Sequence, residues 1–173
     1  MDHPDLAGMA SEMRAEWRAE QAAAAEDAAA QWRHGRVLND WLTERMHGGD
    51  RLAVSVADQR FVGVVEELGP DLIGLRCALG RVDVHVGAEF ALSIEVEDKA
   101  HRGGVRGRTG RTFYDALYAR DGRTDMSVGT MHHPEGIDGT LLVGKDFVSI
   151  VTRPGAETVV PIDCVAWVSA RHT

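Results

Sequence analysis

Two stretches of the chain carry one pattern, and that pattern constrains the fold more than any other feature of the sequence. Phe61 to Cys77 reads FVGVVEELGPDLIGLRC, and Ile137 to Thr152 reads IDGTLLVGKDFVSIVT. Each runs from an apolar residue and a Gly through alternating apolar residues to a second Gly, any residue, an Asp and a further apolar run. The register that aligns Gly63 with Gly139 differs by one residue from the register that aligns Asp71 with Asp146. The first stretch therefore holds one extra residue around Glu66-Glu67, which is what a β-bulge supplies. Gly63 and Gly139 fall inside strands, where Gly marks a bend or a close backbone approach. Gly69 and Gly144 precede x-Asp between two apolar runs, and a tight hairpin with one residue at positive φ is expected there. Asp71 and Asp146 raise the idea of paired catalytic acids. Their setting predicts turn residues instead, whose carboxylates accept backbone N–H groups.

The flanking sequence supports a repeated order of a short helix and about five short strands. Residues 5–47 contain no Pro and are rich in Ala, Glu, Arg and Gln, all good helix formers. Met9, Met13 and Trp17 are spaced by four, as are Ala24, Ala28 and Trp32, which draws an apolar stripe along a helix. RHGR at Arg33 to Arg36 interrupts it, and VLNDWLTERMHGGD resumes the pattern until Gly48-Gly49. From Arg51 the period becomes alternating: RLAVSVADQRF reads as strand, turn at Asp58-Gln59 and strand. Strands are expected at Leu72–Cys77, Arg81–Val86 and Phe90–Val96. EDKAHRGGVRGRTGRT reads as a linker or exposed loop, and FYDALYARDG as a short helix ended by Gly122. TDMSVGT, IDGTLLV, FVSIVT, TVVPI and CVAWVSA then continue the strand pattern.

Five short strands behind a short helix, with a bent glycine strand and a Gly-x-Asp turn, resemble the Sm-like (LSm, Hfq-type) small β-barrel. Two such copies behind an N-terminal helix are similar to tandem-repeat actinobacterial proteins of this length. The resemblance implies a mainly β fold: two tandem Sm-like five-stranded barrels preceded by a long N-terminal helix. Its parts would be a helix over residues 1–36, a first barrel with its short helix over 37–97, a Gly/Arg linker over 98–111, and a second barrel with its short helix over 112–173. It also implies oligomerisation and single-stranded RNA as a partner.

The Gly/Arg segment is the strongest functional signal. Lys99, Arg102, Arg106, Arg108 and Arg111 occur among glycines with no acid between them. Such segments pair with phosphates and stack on bases, so these five are the candidate nucleic-acid contacts. The bland reading is a solvated linker balancing an acidic chain. His132 and His133 in MHHPEG could ligate a metal, but nothing in sequence completes a shell, and an exposed loop is expected. Trp17 and Trp32 are costly to expose and are expected to pack on the barrels or on a second copy.

Composition narrows the classes. The chain has 173 residues and a formal net charge of −8, so binding to polyphosphate requires positive charge gathered locally. Two cysteines in unrelated contexts, Cys77 and Cys164, make no disulfide framework or metal knuckle. The start, with Asp2 and Asp5 and no apolar core, does not read as a signal peptide, and a cytoplasmic bacterial protein is expected. No G-x-S-x-G, H-E-x-x-H, P-loop or dinucleotide fingerprint occurs. The expectation is a non-enzymatic, cofactor-free, metal-free RNA-binding or RNA-associated protein. The alternative is a structural scaffold that oligomerises through barrel edges and the N-terminal helix.

Overall fold

A computed structural model describes residues 6–87, 90–100, 103–104, 107–152 and 155–171; within the first helix it describes the side chains of residues 13–30. The chain divides into two compact units, residues 1–38 and 39–173. The first holds α1 (Leu6–His34), whose 29 residues make a rod about 43 Å long. An Ala-rich run without Pro sustains it, and it stops before Gly35. Met13 and Trp17 stand 65% and 61% exposed on it, and the side chain of Trp32 lies outside the described residues. Among the described residues no helix is long and apolar enough to cross a membrane.

α2 (Leu38–Gly48), which enters the second unit at Asn39, buries Leu42 and Met46. It ends in a paired-bond cap: Gly49 N–H donates to Met46 O (3.1 Å) and Asp50 N–H to Arg45 O (3.0 Å). Gly49 takes φ +76°, the left-handed conformation this cap needs. β1 (Arg51–Val56) and β2 (Gln59–Leu68) follow as a hairpin. Its turn is Ala57-Asp58, one residue earlier than expected, and both residues take positive φ (46° and 59°), which matches the twist of the flanking strands. β3 (Leu72–Cys77), β4 (Gly80–His85), β5 (Ser93–Asp98) and the two-residue β6 (Arg108–Thr109) complete the first half. α3 (Phe113–Tyr118) leads into β7 (Met126–Thr130), β8 (Ile137–Val143), β9 (Phe147–Val151), β10 (Glu157–Pro161) and β11 (Val165–Ala170).

The two tandem barrels expected from the sequence do not form. The strands make one open sheet in the order β10-β9-β8-β7-β11-β4-β3-β2-β1-β5, antiparallel throughout, with β6 added parallel to β2. The physical reason lies at β4. Its outer edge pairs with β11, Trp167 opposite Val84 and Val168 opposite Asp83, while β5 pairs with β1. β4 and β5 are therefore not neighbours, and the sheet runs on into the second half instead of closing as a small barrel or as a pair of repeated closed units.

Two hydrophobic clusters pack against this sheet. One gathers Leu42, Met46, Leu52, Val65, Leu75 and Val84. The other gathers Phe113, Leu117, Val128, Leu141, Ile150 and Val168. β11 serves both, because its register against β7 slips between Val165 and Trp167. Val165 and Val168 enter the second cluster, and Ala166 and Trp167 the first. The Trp167 indole meets Phe61 edge-on at 5.2 Å.

The paired glycines sit where the backbone approaches closely. A Cβ on Gly63 would lie 2.5 Å from Arg76 O, and one on Gly139 would lie 2.5 Å from Val151 O. Gly69 and Gly144 open equivalent turns, each donating its N–H three residues on, to Leu72 O and Phe147 O (2.8 Å each). No residue of either turn takes the positive φ expected from the sequence. Gly69 is required for space, since a Cβ there would run into the carbonyl of Arg111. Gly63→Ala and Gly139→Ala should each destabilise the protein by about 1–3 kcal/mol, because backbone on a neighbouring strand has to move. Urea unfolding measures this, and losses below about 0.5 kcal/mol at both positions would remove close approach as the reason for glycine.

Candidate anion-binding cleft

The extra residue foreseen near Glu66-Glu67 is present. Val65 pairs with Leu75 but Glu67 with Gly74, leaving Glu66 as the additional residue of a bulge. Its consequence is a change of face. Val65 and Leu68 both enter the first cluster although three positions separate them. Uninterrupted alternation would send Glu67 into that cluster and Leu68 out of it. The bulge instead puts Glu67 in a row with Gly74 and Asp83 across β2, β3 and β4. Asp83 lies between Val82 and Val84, which both belong to the first cluster, so this row is on the opposite face.

Both carboxylates of the row are fully buried. Three guanidinium groups converge on them. Arg81 donates from Nε to Asp83 Oδ1 (2.9 Å) and from Nη2 to Glu67 Oε2. Arg111 Nη1 stands 3.6 Å from Glu67 Oε2. Arg120 pairs with Asp83 Oδ2 through Nη2, without the alignment of a hydrogen bond, and donates from Nη1 to Ala116 O (2.7 Å). Gly74 makes the room: a Cβ there would lie 2.8 Å from Arg81 Nη2 and 3.0 Å from Asp83 Oδ1. Glu67 Oε1 is buried without a hydrogen-bond partner. Burial pulls the pKa of Arg120 below the ordinary guanidinium value, and the attraction of Asp83 does not restore it. Burial acts the same way on Arg81, but hydrogen bonds and charge from Glu67 and Asp83 outweigh it and raise its pKa.

α3 is anchored over this row. His85, two residues beyond Asp83, stacks on Phe113 at 4.5 Å and donates from Nδ1 to Val165 O (3.0 Å). Asp71 Oδ1 accepts the Phe113 N–H (2.8 Å), so this turn aspartate ties down α3. Asp146 does no equivalent work with its side chain: it is exposed, and its backbone oxygen accepts the Ile162 N–H (3.0 Å). Thr112 and Asp115 close a capping box, with Thr112 N–H donating to Asp115 Oδ2 (2.9 Å) and Asp115 N–H to Thr112 Oγ1 (3.1 Å).

Beside the buried row opens a cleft of about 480 Å³. Arg76, Arg81 and Arg108 line it together with Gly103, Gly104 and Gly107. Arg76 is paired with Glu66 (2.9 Å), and Arg108 has no acidic partner among the described residues. The Gly/Arg segment is thus folded onto the sheet where it is described, not a free linker. Gly104 N–H donates to His47 O (2.9 Å), Gly110 N–H to Leu68 O (3.0 Å), and Ala100 N–H to Asp50 Oδ1 (3.0 Å). Its glycines serve close packing, since a Cβ on Gly104 would lie 2.5 Å from Met46 O.

Of the residues singled out from the sequence, Arg108 lines the cleft, Arg111 turns toward buried Glu67, and Lys99 is exposed outside the lining. Arg102 and Arg106 lie outside the described residues. Arg76, Arg81, Arg120, Glu67 and Asp83 were not anticipated. The available signal was the alternation of RVDVH, which puts Arg81, Asp83 and His85 on one face, combined with the extra residue at Glu66. The backbone N–H groups of His132 and His133 donate to Thr130 Oγ1 (3.3 and 3.0 Å), and the described residues contain no group of three or more potential metal ligands. No family model, curated protein or solved structure matches the chain.

The capping box has a pH signature. Hydrogen bonds from the Thr112 backbone, then from its side chain, hold Asp115 below its usual value of 3.8. A depressed carboxylate contributes stability above its unfolded pKa and loses it as pH falls through the folded one. In unfolding titrations, wild type should therefore lose stability more steeply below about pH 3.8 than Asp115→Asn. Equal acid limbs would show that the box does not act through charge.

Proposed function

We propose that the protein is a non-enzymatic binding module whose cleft takes a phosphate-bearing ligand. Two sources of that group fit: the backbone of single-stranded RNA, the partner class expected from the sequence, and a small phosphorylated molecule such as a mononucleotide. The observation that carries the reading is the convergence of Arg76, Arg81 and Arg108 on one cleft in a chain of net charge −8. An acidic protein attracts phosphate only where it concentrates positive charge, and planar guanidinium forks match phosphate oxygens. Gly103, Gly104 and Gly107 add backbone rather than side chain to the same lining. Among the described residues the lining holds no Ser, Thr, Cys or His, and the one carboxylate among them, Glu66, is engaged by Arg76. A nucleophile and a free general base are the minimum for hydrolytic chemistry, so this lining favours binding over turnover.

The test is direct binding at low and physiological salt. End-labelled oligouridylate and oligoadenylate report by fluorescence anisotropy, and UMP and inorganic phosphate by calorimetry. Binding should weaken as salt rises. Arg108→Ala, at an exposed strand position, should lower the slope of log K against log salt for oligonucleotide by about 0.7 for each phosphate that the variant no longer neutralises. RNA binding without UMP or phosphate binding would assign the cleft to the polymer backbone, and the reverse to a small ligand. Failure of every probe at low salt, or an unchanged slope in both Arg76→Ala and Arg108→Ala, would overturn the reading.

A further inference from the structure

The charges around the cleft do not balance. The Arg76 and Glu66 pair is neutral, and Arg108 adds one positive charge with no acidic partner among the described residues. Behind them, the guanidinium groups of Arg81, Arg111 and Arg120 form ion pairs with two carboxylates among the described residues, those of Glu67 and Asp83, which leaves a second positive charge without a paired carboxylate, although the exposed Asp115 also attracts Arg111. That second charge is held in a poorly solvated place, because Arg120 is mostly buried and both carboxylates are fully buried. Guanidinium groups in excess of the paired carboxylates favour an anion that carries more than one charge. A phosphate monoester carries about −1.5 to −2 at neutral pH, whereas a phosphodiester carries one charge.

Arg81 is the link between the buried row and the cleft, since it belongs to both. Its Nε and Nη2 edge is committed to Asp83 and Glu67. Nη1, the remaining nitrogen of the planar fork, has no partner among the described residues. A guanidinium gripped along one edge presents its other nitrogen in a fixed direction.

Building on the phosphate reading, we infer that the cleft selects a terminal phosphate monoester, and that Glu67 and Asp83 are positioning residues that fix Arg81 to receive it. The two carboxylates repel the ligand by charge yet assist it by geometry, and this opposition makes the inference testable. Removing a negative charge near an anion site strengthens binding if only electrostatics matter. It weakens binding if the carboxylate was orienting Arg81.

The experiment compares UMP with the dinucleoside monophosphate UpU, which has one diester and no terminal phosphate. Calorimetry is run on wild type, Glu67→Gln, Asp83→Asn and Arg81→Lys, each checked for folding by circular dichroism. Wild type should bind UMP about tenfold or more tightly than UpU, the scale of one charged hydrogen bond. Glu67→Gln and Asp83→Asn should each weaken UMP binding about tenfold despite the more positive protein. Arg81→Lys should also weaken UMP binding about tenfold, because an ammonium lacks the fork. Equal affinity for UMP and UpU overturns the monoester selection while leaving the cleft a phosphate site. Tighter UMP binding by folded Glu67→Gln or Asp83→Asn overturns the positioning role. If Asp83→Asn does not fold, Glu67→Gln and the wild-type ratio of UMP to UpU decide. Failure of wild type to bind UMP, UpU and the oligonucleotides removes the phosphate reading itself, and this inference with it.

Discussion

The burial of Glu67 is the constraint around which the first half of the sheet is organised. An ionised carboxylate taken out of water costs several kcal/mol unless charge and hydrogen bonds replace its solvent. The bulge at Glu66 makes that burial possible by turning Glu67 away from the apolar cluster and toward Asp83. Arg81 then spans both carboxylates, and Gly74 between them has no side chain because the guanidinium occupies that space. Arg111 and Arg120 arrive from either side of α3, so α3 must be seated over this row. The devices that hold α3 follow from that requirement: the Thr112 and Asp115 box, the Asp71 carboxylate on Phe113 N–H, and the stacking of Phe113 on His85. Buried charge thus sets the position of a helix whose apolar side, through Phe113 and Leu117, packs into the second cluster.

The seam between β4 and β11 extends the same logic across the sheet. Asp83 pairs in register with Val168, so the strand that carries the buried carboxylate also joins the halves. Trp167, one residue earlier, packs on Phe61 from the first half. A Cβ on Gly129 would run into the indole, and one on Gly136, which takes φ +95°, would meet Ser127 Oγ and then the indole. A residue as large as Trp at a seam gives the pairing a unique register, since a slip of one residue would turn it to the other face.

What was legible in the sequence was local. The helix break near Gly35, the strand at Leu72–Cys77 and the bulge near Glu66 depend on periodicity and on residues a few positions apart, and the structure places them there. The edge partner of β4 is not local. Alternating residues in CVAWVSA suit any half-buried strand, and nothing nearby says whether β11 closes its own half or pairs with the other. The expected barrels failed on that choice. The buried row was hidden for the same reason: Glu67, Asp83 and Arg120 each sit in ordinary local company, and only pairing across three strands brings them together. The Gly/Arg segment was misjudged on physical grounds. Glycine allows flexibility, but it also allows close approach, and Gly104 and Gly107 take up the second property against the end of α2.

The cleft shows how an acidic chain can hold a cationic surface. The acids outnumber Lys and Arg, 27 to 19, so a site open to the field of the whole chain would repel phosphate. Screening confines interactions between exposed charges to about 8 Å at physiological salt, so distant acids matter little there. The nearby ones matter more, and three of those among the described residues are engaged: Glu66 by Arg76, Glu67 by Arg81 and Arg111, Asp83 by Arg81 and Arg120. With the acids occupied, the remaining charge belongs to Arg108 and to the excess guanidinium below it. Had Glu67 and Asp83 been exposed, solvent would have screened that excess. Burial keeps it effective, so the costliest residues of the fold are also those that give the cleft its sign.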